Sequence, residues 1–251
     1  MRVVILGSGN VATVLGRLIT KTNHTIVQII SRQLIHAKNL ATELQCSFTD
    51  NYEEMDITAD IYIIALVDDA LTTLKNIPAI ADKLIVHTAG SVSINALKGF
   101  SSTYGVLYPL QSLRKEMQYL PEIPWLVDGN TEETTTTIKD FASSFSSLVA
   151  EGKDEERIKL HVAAVLVSNF TNHLFSLTEQ YCETEHLNFK ILLPLIKETA
   201  NRIEDYSPSN MQTGPAIRND IFTIDRHLKL LTNHPKLKYL YMKITDSIMS
   251  R

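Results

Sequence analysis

The sequence has few cysteines, no cluster of basic residues and no long apolar run, and each shortage argues against a class of function. Its two cysteines, Cys46 and Cys182, lie far apart, without a C-x-x-C pair or a nearby histidine cluster. Neither a disulfide framework nor a bound metal is therefore predicted, and a cytoplasmic location fits best. The net charge of −4 gives no general attraction to nucleic acid. With no stretch long enough to cross a bilayer, we expect no membrane partner either.

The chain divides into two halves of different pattern. Its 251 residues, 44% hydrophobic and 21% charged, are typical of a globular protein with one large or two medium domains. Strand and helix patterns alternate as far as Gly152, and only helix patterns follow. We therefore predict an α/β domain over 1–152 and an all-helical domain over 153–251.

A glycine-rich turn near the start predicts a dinucleotide site. The residues Gly-Ser-Gly-Asn-Val-Ala at 7–12 follow an apolar strand and open a periodic helix. In this G-x-G-x-x-A pattern the first glycine allows the tight turn, and the second lets the backbone approach a pyrophosphate. The N-terminus of the helix then favours the anion. The predicted cofactor contacts here are Gly7, Ser8, Gly9, Asn10 and Val11.

The end of the second strand, predicted at 25–30, indicates which dinucleotide binds. An NAD enzyme places a carboxylate about 20 residues after the glycines, whereas an NADP enzyme places a hydroxyl and an arginine for the 2′-phosphate. Here the carboxylate is absent, and Ser31 and Arg32 follow the strand. Arg32 also fits an ordinary solvated loop residue, but its position favours NADP.

Two later strands, predicted at 61–66 and 83–86, end at the edge where ligands bind in an open α/β sheet. The cofactor contacts predicted there are Leu66, Val67, His87, Thr88 and Ala89. His87 has two interpretations, a group that polarises or protonates the substrate or, with more weight, a structural residue at a buried strand end. One of Asp68 and Asp69 is interpreted as the N-cap of the next helix, in preference to a metal or acid-base pair.

A long helix, predicted from Asp154 to about Glu185, dominates the second half. Its segment 162–167 is apolar on every side, which predicts central burial and a homodimer formed through this helix. His161 and Asn169 lie about two turns apart, and we predict that they share a face over the nicotinamide. Further helices are predicted at 189–204, 217–231 and 235–249, the last capped by Asn233.

The loop between two of these helices carries a specific motif, Thr213-Gly214-Pro215-x-x-Arg218-x-Asp220. It fits a tight turn that starts a helix, with Arg218 and Asp220 near enough to bind the turn or each other. It fits equally well a lining of the substrate cleft. The sequence leaves both interpretations open.

These features together resemble a known superfamily. A Rossmann half with Ser-Arg after its second strand, followed by a helical half, resembles pyrroline-5-carboxylate reductases, 6-phosphogluconate and 3-hydroxyacid dehydrogenases, and deazaflavin-dependent NADP oxidoreductases. A narrower resemblance is to the Rossmann-like family whose C-terminal half is a domain of unknown function. The residues that carry it are 87–91 (His-Thr-Ala-Gly-Ser), 108–111 (Tyr-Pro-Leu-Gln), His161 with Asn169, and the 213–220 motif. It implies a mostly parallel Rossmann-type sheet followed by an all-α domain of the 6-phosphogluconate dehydrogenase C-terminal type.

The resemblance also narrows the expected chemistry. Hydroxyacid dehydrogenases of the superfamily carry a lysine one turn before the helix asparagine, and Val165 stands there in this chain. Alcohol oxidation would lack its base, whereas reduction of a protonated C=N needs mainly orientation. We therefore predict an NADP(H)-dependent oxidoreductase that acts on a small imine or carbonyl. The catalytic candidates are Asn169, His161 and Ser91. The alternative is a non-catalytic NADP-binding sensor or partner-binding protein.

Overall fold

The computed structural model describes residues 1–72, 74, 80–117 and 119–250. The chain forms two compact units, Met1–Leu166 and Val167–Arg251. The first unit therefore includes the first helix of the helical half. The predicted boundary after Gly152 marks the change of secondary structure, and the compact units divide further along the chain.

The first unit is built on a mostly parallel sheet. Within the described residues it has eight strands in the order β3-β2-β1-β4-β5-β6-β7-β8, and every neighbouring pair is parallel except β6 and β7. The strands are β1 (Arg2–Leu6), β2 (Thr25–Ile30), β3 (Ser47–Thr49), β4 (Ile61–Ile64), β5 (Leu84–His87), β6 (Thr103–Pro109), β7 (Trp125–Gly129) and β8 (Val149–Glu151). The predicted Rossmann-type sheet is confirmed.

The helices of this unit cover both faces of the sheet. They are α1 (Asn10–Ile19), α2 (Leu34–Leu44), α3 (Asp68–Thr72), α4 (Glu132–Ser143) and α5 (Asp154–Ala164). Successive side chains of β1 join different cores: Val3 and Ile5 belong to the cluster that includes α1 and α2, and Val4 and Leu6 to the cluster beyond the sheet. Burial on both faces explains the continuous apolar strands.

One sequence prediction about the first unit needs correction. The residue pattern predicts that the helix containing 134–137 continues to Val149, but α4 ends at Ser143 and the chain then forms β8 beside β7. Three-residue strands carry too little pattern to be separated from the end of a helix. The sheet thus has an eighth strand, β8, where the pattern predicts the end of a helix.

The second unit is helical throughout its regular structure. A π-helical segment (Val165–Phe170) links α5 to α6 (Thr171–Thr184), and α7 (Leu193–Asn201), α8 (Ile221–Leu230) and α9 (Pro235–Met249) follow. The bounds predicted for α9 are confirmed. Its N-cap residue, however, is His234 and not Asn233.

The central burial predicted for 162–167 is not found within a single chain. Val162 and Leu166 are 56% and 54% exposed, and Val167 is 74% exposed. A helix that is apolar on every side is expected to be buried, but the pattern does not show whether it is buried by its own chain or by another one.

Candidate functional site

Gly7 forms the tight turn that leaves β1. Its φ is +127°, and its N–H donates to the Ile30 carbonyl oxygen over 2.7 Å. A Cβ atom on Gly7 would lie 2.2 Å from the carbonyl oxygen of Ala65, which follows β4. Both the backbone conformation and the close approach of β4 therefore require glycine here.

Gly9 has a different role, because the space around it is open. It is the N-cap residue of α1 with φ −83°, and no neighbouring atom lies within 4 Å of the position its Cβ would take. No side chain of the described residues caps this helix end. The open space and the uncapped N–H groups together fit a pyrophosphate held by backbone.

The end of β2 lies directly beside the glycine turn. The hydroxyl groups of Ser8 and Ser31 are 2.7 Å apart and hydrogen-bonded, and the Ser31 N–H donates to the Thr49 carbonyl. Arg32 follows with an exposed side chain. The structure therefore brings the two predicted serines together and leaves the Arg32 guanidinium accessible. Asn10, in contrast, accepts a hydrogen bond at Oδ1 from the Lys115 N–H.

The other predicted cofactor contacts follow β4 and β5 at the same sheet edge. Ile64 pairs with His87, and the Thr88 N–H donates to the Ile64 carbonyl. Val67 is largely exposed, Leu66 is half-buried, and Ala89 is buried. The strand order reverses between β1 and β4, and ligands of open α/β sheets bind at such a switch point.

His87 is fully buried at the end of β5. Its Nδ1 accepts the Ala89 N–H over 3.2 Å, and its Nε2 has no hydrogen-bond partner among the described residues. Burial, and then the positive charge of Arg157, lower the pKa of His87 to about 4. The imidazole is therefore neutral near pH 7, which favours the structural interpretation over a proton donor.

A second histidine, His161, forms a hydrogen-bonded pair with a tyrosine. The Tyr108 hydroxyl, at the end of β6, lies 2.8 Å from Nδ1 of His161 on α5, and the rings meet edge to face. A Cβ on the buried Gly90 would lie 2.7 Å from His161 Nδ1 and 2.8 Å from Tyr108 Cζ. Gly90 thus packs directly over the hydrogen-bonded pair. Burial is the main cause that raises the pKa of Tyr108, so its phenol stays protonated.

The loop that carries Gly90 also holds Ser91. The Ser91 hydroxyl donates to the Asp68 carboxylate in a short hydrogen bond. Leu71 N–H bonds the Val67 carbonyl, so Asp68 and Asp69 lie inside the first turn of α3 and the predicted capping role is corrected. Their negative charges suit the positive end of the helix.

Sequence reasoning missed Arg157, and it identified Asp154 only as the start of the long helix and not as the partner of Arg157. Arg157 is 1% exposed, and its guanidinium bonds both the Asp154 carboxylate and the Val92 carbonyl. The spacing of these residues could have indicated the arrangement. Asp154, Arg157 and His161 are three and four residues apart, which places them on one face of a helix. The sequence identified Tyr108 only as part of the stretch 108–111 that carries the family resemblance, without His161 as its partner.

Asn169 lies in the π-helical segment and is exposed. The wider turns of a π-helix break the 3.6-residue register from which a shared face with His161 was inferred. That shared face, and the role of Asn169, stay predictions. π-helical turns occur frequently at functional sites.

The motif at 213–220 organises the start of α8. Asp220 caps the helix by accepting from the N–H and the hydroxyl of Thr223, and Gly214 has φ +108°. Hydrogen bonds from Thr223, with a smaller effect of the Arg218 charge, lower the pKa of Asp220. Residues 213–216 also line a cavity of 230 Å³ whose other walls come from α6 and α9. These contacts favour the structural interpretation.

The described residues contain no helix long and apolar enough to cross a membrane. They also contain no group of three or more His, Cys, Asp or Glu side chains arranged to hold a metal ion.

The glycine turn, the switch point and the strand order define a dinucleotide-binding protein of the Rossmann class. Residues 2–90 match the family described as NADP oxidoreductase coenzyme F420-dependent, and residues 123–248 match a domain of unknown function, DUF2520. The chain belongs to the NADP oxidoreductase family that carries this C-terminal domain, and the cofactor of that family is NADP. None of the curated proteins matches the chain.

Solved structures are similar over the whole chain. A Bacteroides fragilis protein described as a candidate NADP oxidoreductase is 36% identical, with a TM-score of 0.92, covering 100% of this chain and 98% of that one. A Thermotoga maritima protein is 20% identical, with a TM-score of 0.76 and coverages of 99% and 98%. The 1-pyrroline-5-carboxylate reductase of Streptococcus pyogenes is 15% identical, with a TM-score of 0.64 and coverages of 100% and 99%. The last two similarities are of fold.

Proposed function

We propose that this protein is an NADPH-dependent reductase of a small imine or carbonyl compound. The observation that carries the proposal is the Tyr108–His161 pair, which lies at the carboxyl ends of the strands in a unit whose glycine turn fits a dinucleotide. The family is one of NADP oxidoreductases, and a reductase that acts on a cyclic imine acid shares the fold. These likenesses support the reaction class.

The residues at the turn would hold the cofactor in a defined way. The N–H groups at the start of α1 would bind the pyrophosphate beside Gly9, and Ser31 and Arg32 would bind the 2′-phosphate. The segments that follow β4 and β5 would line the nicotinamide side. When bound, NADPH supplies the hydride, and the protein orients the acceptor carbon and handles the proton.

His161 and Tyr108 would have separate roles in this reaction. In protonated His161, Nδ1–H donates to the Tyr108 oxygen, and Nε2–H is the proton available to the substrate. Transfer of that proton to the nitrogen or oxygen beside the reduced carbon leaves neutral His161, still bonded to Tyr108 through Nδ1–H. Ser91 and Asn169 would orient the substrate by hydrogen bonds. His161 is then the acid, and Tyr108 positions its ring.

The choice between imines and carbonyl compounds follows from the absence of a lysine at position 165 of the long helix. Val165 occupies the position at which the resembling hydroxyacid dehydrogenases carry lysine, so the base that those enzymes use for an alcohol is absent from this helix position. A protonated imine is already electrophilic and makes a smaller demand on the protein. Imines are therefore the first compounds to screen, and ketones the second.

The cofactor assignment is tested by Arg32→Asp. We expect NADPH affinity to fall about 10- to 100-fold and NADH affinity to hold or rise, because a charge-assisted contact contributes about 1.5–3 kcal/mol and the new carboxylate suits a ribose hydroxyl. Titration of each nucleotide by fluorescence measures both constants. Lys38→Asp, on the exposed surface of α2, is the control for charge alone. Equal losses in both variants would contradict a specific phosphate contact.

We also propose that the protein is a homodimer. Among the described residues of the second unit, only five apolar side chains are buried: Leu177, Cys182, Ala216, Ile224 and Leu231. So small a core cannot offset the conformational entropy of some 80 ordered residues. The exposed apolar faces of its helices, with Val162 and Leu166 before them, provide the surface that a second copy would cover.

Light scattering measures this assembly directly. We expect a mass of twice the 28.2 kDa chain, and we expect Val167→Glu to raise the dimer dissociation constant at least tenfold, at about 1.4 kcal/mol per tenfold change. Tyr119→Glu changes a side chain of similar exposure in the first unit, 72% against 74%, and should leave the mass unchanged. A single-chain mass for the wild type at micromolar concentration would rule out the dimer.

A further inference from the structure

One face of α5 fastens the loop after β5. Asp154 Oδ1 accepts the Ile94 N–H over 3.0 Å, and Oδ2 accepts the Ser93 hydroxyl over 2.5 Å. Arg157 Nη2 donates to the Val92 carbonyl over 2.5 Å and to Asp154 Oδ1 over 2.6 Å. Three successive loop residues, 92–94, are therefore tied to a single ion pair on the helix.

Stability alone does not account for this ion pair. Arg157 is almost fully buried, yet its Nε and Nη1 have no hydrogen-bond partner among the described residues. A buried guanidinium with unmade hydrogen bonds is costly, and an apolar side chain of similar size would generally serve the core as well or better. A group kept at such a cost suggests a specific role.

The geometry links the fastened loop to the Tyr108–His161 pair. Two residues before Val92, the loop passes over the pair at Gly90, where even a Cβ would lie 2.7 Å from His161 Nδ1. His161 is one turn after Arg157 on the same helix face. The ion pair thus sets both sides of this contact: the loop through Val92, Ser93 and Ile94, and the histidine through the helix itself.

We propose that Arg157 and Asp154 are positioning residues, which hold the loop 90–94 against α5 so that the Tyr108–His161 hydrogen bond forms. The proposal rests on the proposed function only for its catalytic consequence. The structural claim, that the hydrogen bond depends on the ion pair, is measured without substrate or cofactor.

The test follows the ring nitrogens of His161 by ¹⁵N NMR, assigned with His161→Asn. Tyr108→Phe removes the hydrogen bond and defines the Nδ1 signal of the broken pair. We expect Arg157→Met to move that signal to the position found in Tyr108→Phe. Arg157→Lys should restore it only in part, because the lysine side chain ends one bond short of Nη2 and its ammonium cannot reach both Val92 and Asp154 as closely. Lys159→Met, which removes an exposed ion pair with Glu155 on the same helix, should leave it unchanged.

Asp154→Asn is a second variant, which tests the ion pair even if Arg157→Met fails to fold after loss of the buried arginine. Asp154 is partly exposed, and the amide keeps an oxygen for Ile94 N–H while it loses the charge that pairs with Arg157. In the Asp154→Asn protein the His161 Nδ1 signal should also shift toward its position in Tyr108→Phe. A wild-type signal in a folded Arg157→Met or Asp154→Asn protein would overturn the proposal.

Turnover separates this proposal from the proposed function. If the reductase activity exists, we expect Arg157→Met to lower kcat on the order of 10²-fold with little change in the NADPH dissociation constant, because a displacement of about 1 Å at a reacting group has that effect. A shifted NMR signal in an enzyme without any activity would refute the function and leave the positioning role intact. A shifted signal with unchanged kcat would contradict the catalytic consequence.

Discussion

Gly9→Ala is expected to weaken NADPH binding about 10- to 100-fold in a protein that folds normally. No neighbouring atom lies within 4 Å of the position its new methyl group would take, and its φ of −83° suits any residue. The methyl group would instead occupy the space between the backbone and the bound pyrophosphate. Loss of glycine at the N-cap should cost stability about 1 kcal/mol or less.

Gly7→Ala, two residues earlier, is the matched comparison with the opposite expected result. Its φ of +127° strains any other residue, and the new Cβ would lie 2.2 Å from the Ala65 oxygen. Strain of this kind and overpacking against backbone should together lower the free energy of unfolding by about 2–4 kcal/mol. Urea denaturation measures that loss, and nucleotide titration measures binding in both variants.

The two variants therefore separate the effect on stability, expected for Gly7→Ala, from the effect on NADPH binding, expected for Gly9→Ala. If Gly9→Ala bound NADPH as tightly as the wild type, the open space at the end of α1 would not be the pyrophosphate site. If Gly7→Ala were as stable as the wild type, β4 would have to be displaced from the turn at no cost, which its buried position excludes.

Local patterns were sufficient for much of the fold. β2 was predicted at its observed bounds because a β-branched apolar run lies between turn residues, and α9 because Pro235 stands at a favoured first-turn position and the apolar period continues to Met249. The glycine turn was found because its residues are adjacent in the chain. Structural features that are determined by residues close together in the chain can therefore be predicted from the sequence.

The site was less predictable because its contacts span long separations. Tyr108 and His161 are 53 residues apart, and they meet only because α5 packs at the carboxyl end of β6. Arg157 was missed for another reason, since arginine is almost never fully buried and its chemistry alone places it on the surface. The π-helical segment was missed because its wider turns leave no trace in a 3.6-residue period.

The largest catalytic effect is expected for His161→Asn. The amide keeps the space beside Gly90 and a group able to hydrogen-bond Tyr108, but it has no proton to transfer to the substrate. General acid catalysis contributes about 10²–10⁴-fold, so kcat should fall by that factor while the NADPH dissociation constant changes little. Steady-state kinetics on a series of small cyclic imines and ketones, with binding measured in parallel, tests this.

Tyr108→Phe is the graded comparison, because it removes the positioning hydroxyl but leaves the acid. We expect a smaller loss of kcat, about tenfold, which is the 1.4 kcal/mol typical of one hydrogen bond. Burial first of all, and Asp68 to a lesser extent, raise the pKa of Tyr108 above its ordinary value of 10, against the effect of Arg157. The neutral phenol is therefore present at all pH values below about 10, and ionisation of Tyr108 should leave no inflection in the wild-type pH–rate profile over that range.

The order of the two effects decides between the assigned roles. A larger loss in Tyr108→Phe than in His161→Asn would make the phenol the proton donor and the imidazole its support. Equal and small losses in both would remove the Tyr108–His161 pair from the proton transfer. In that case the proton would have to come from water, and the protein would contribute mainly by orienting the substrate for hydride transfer.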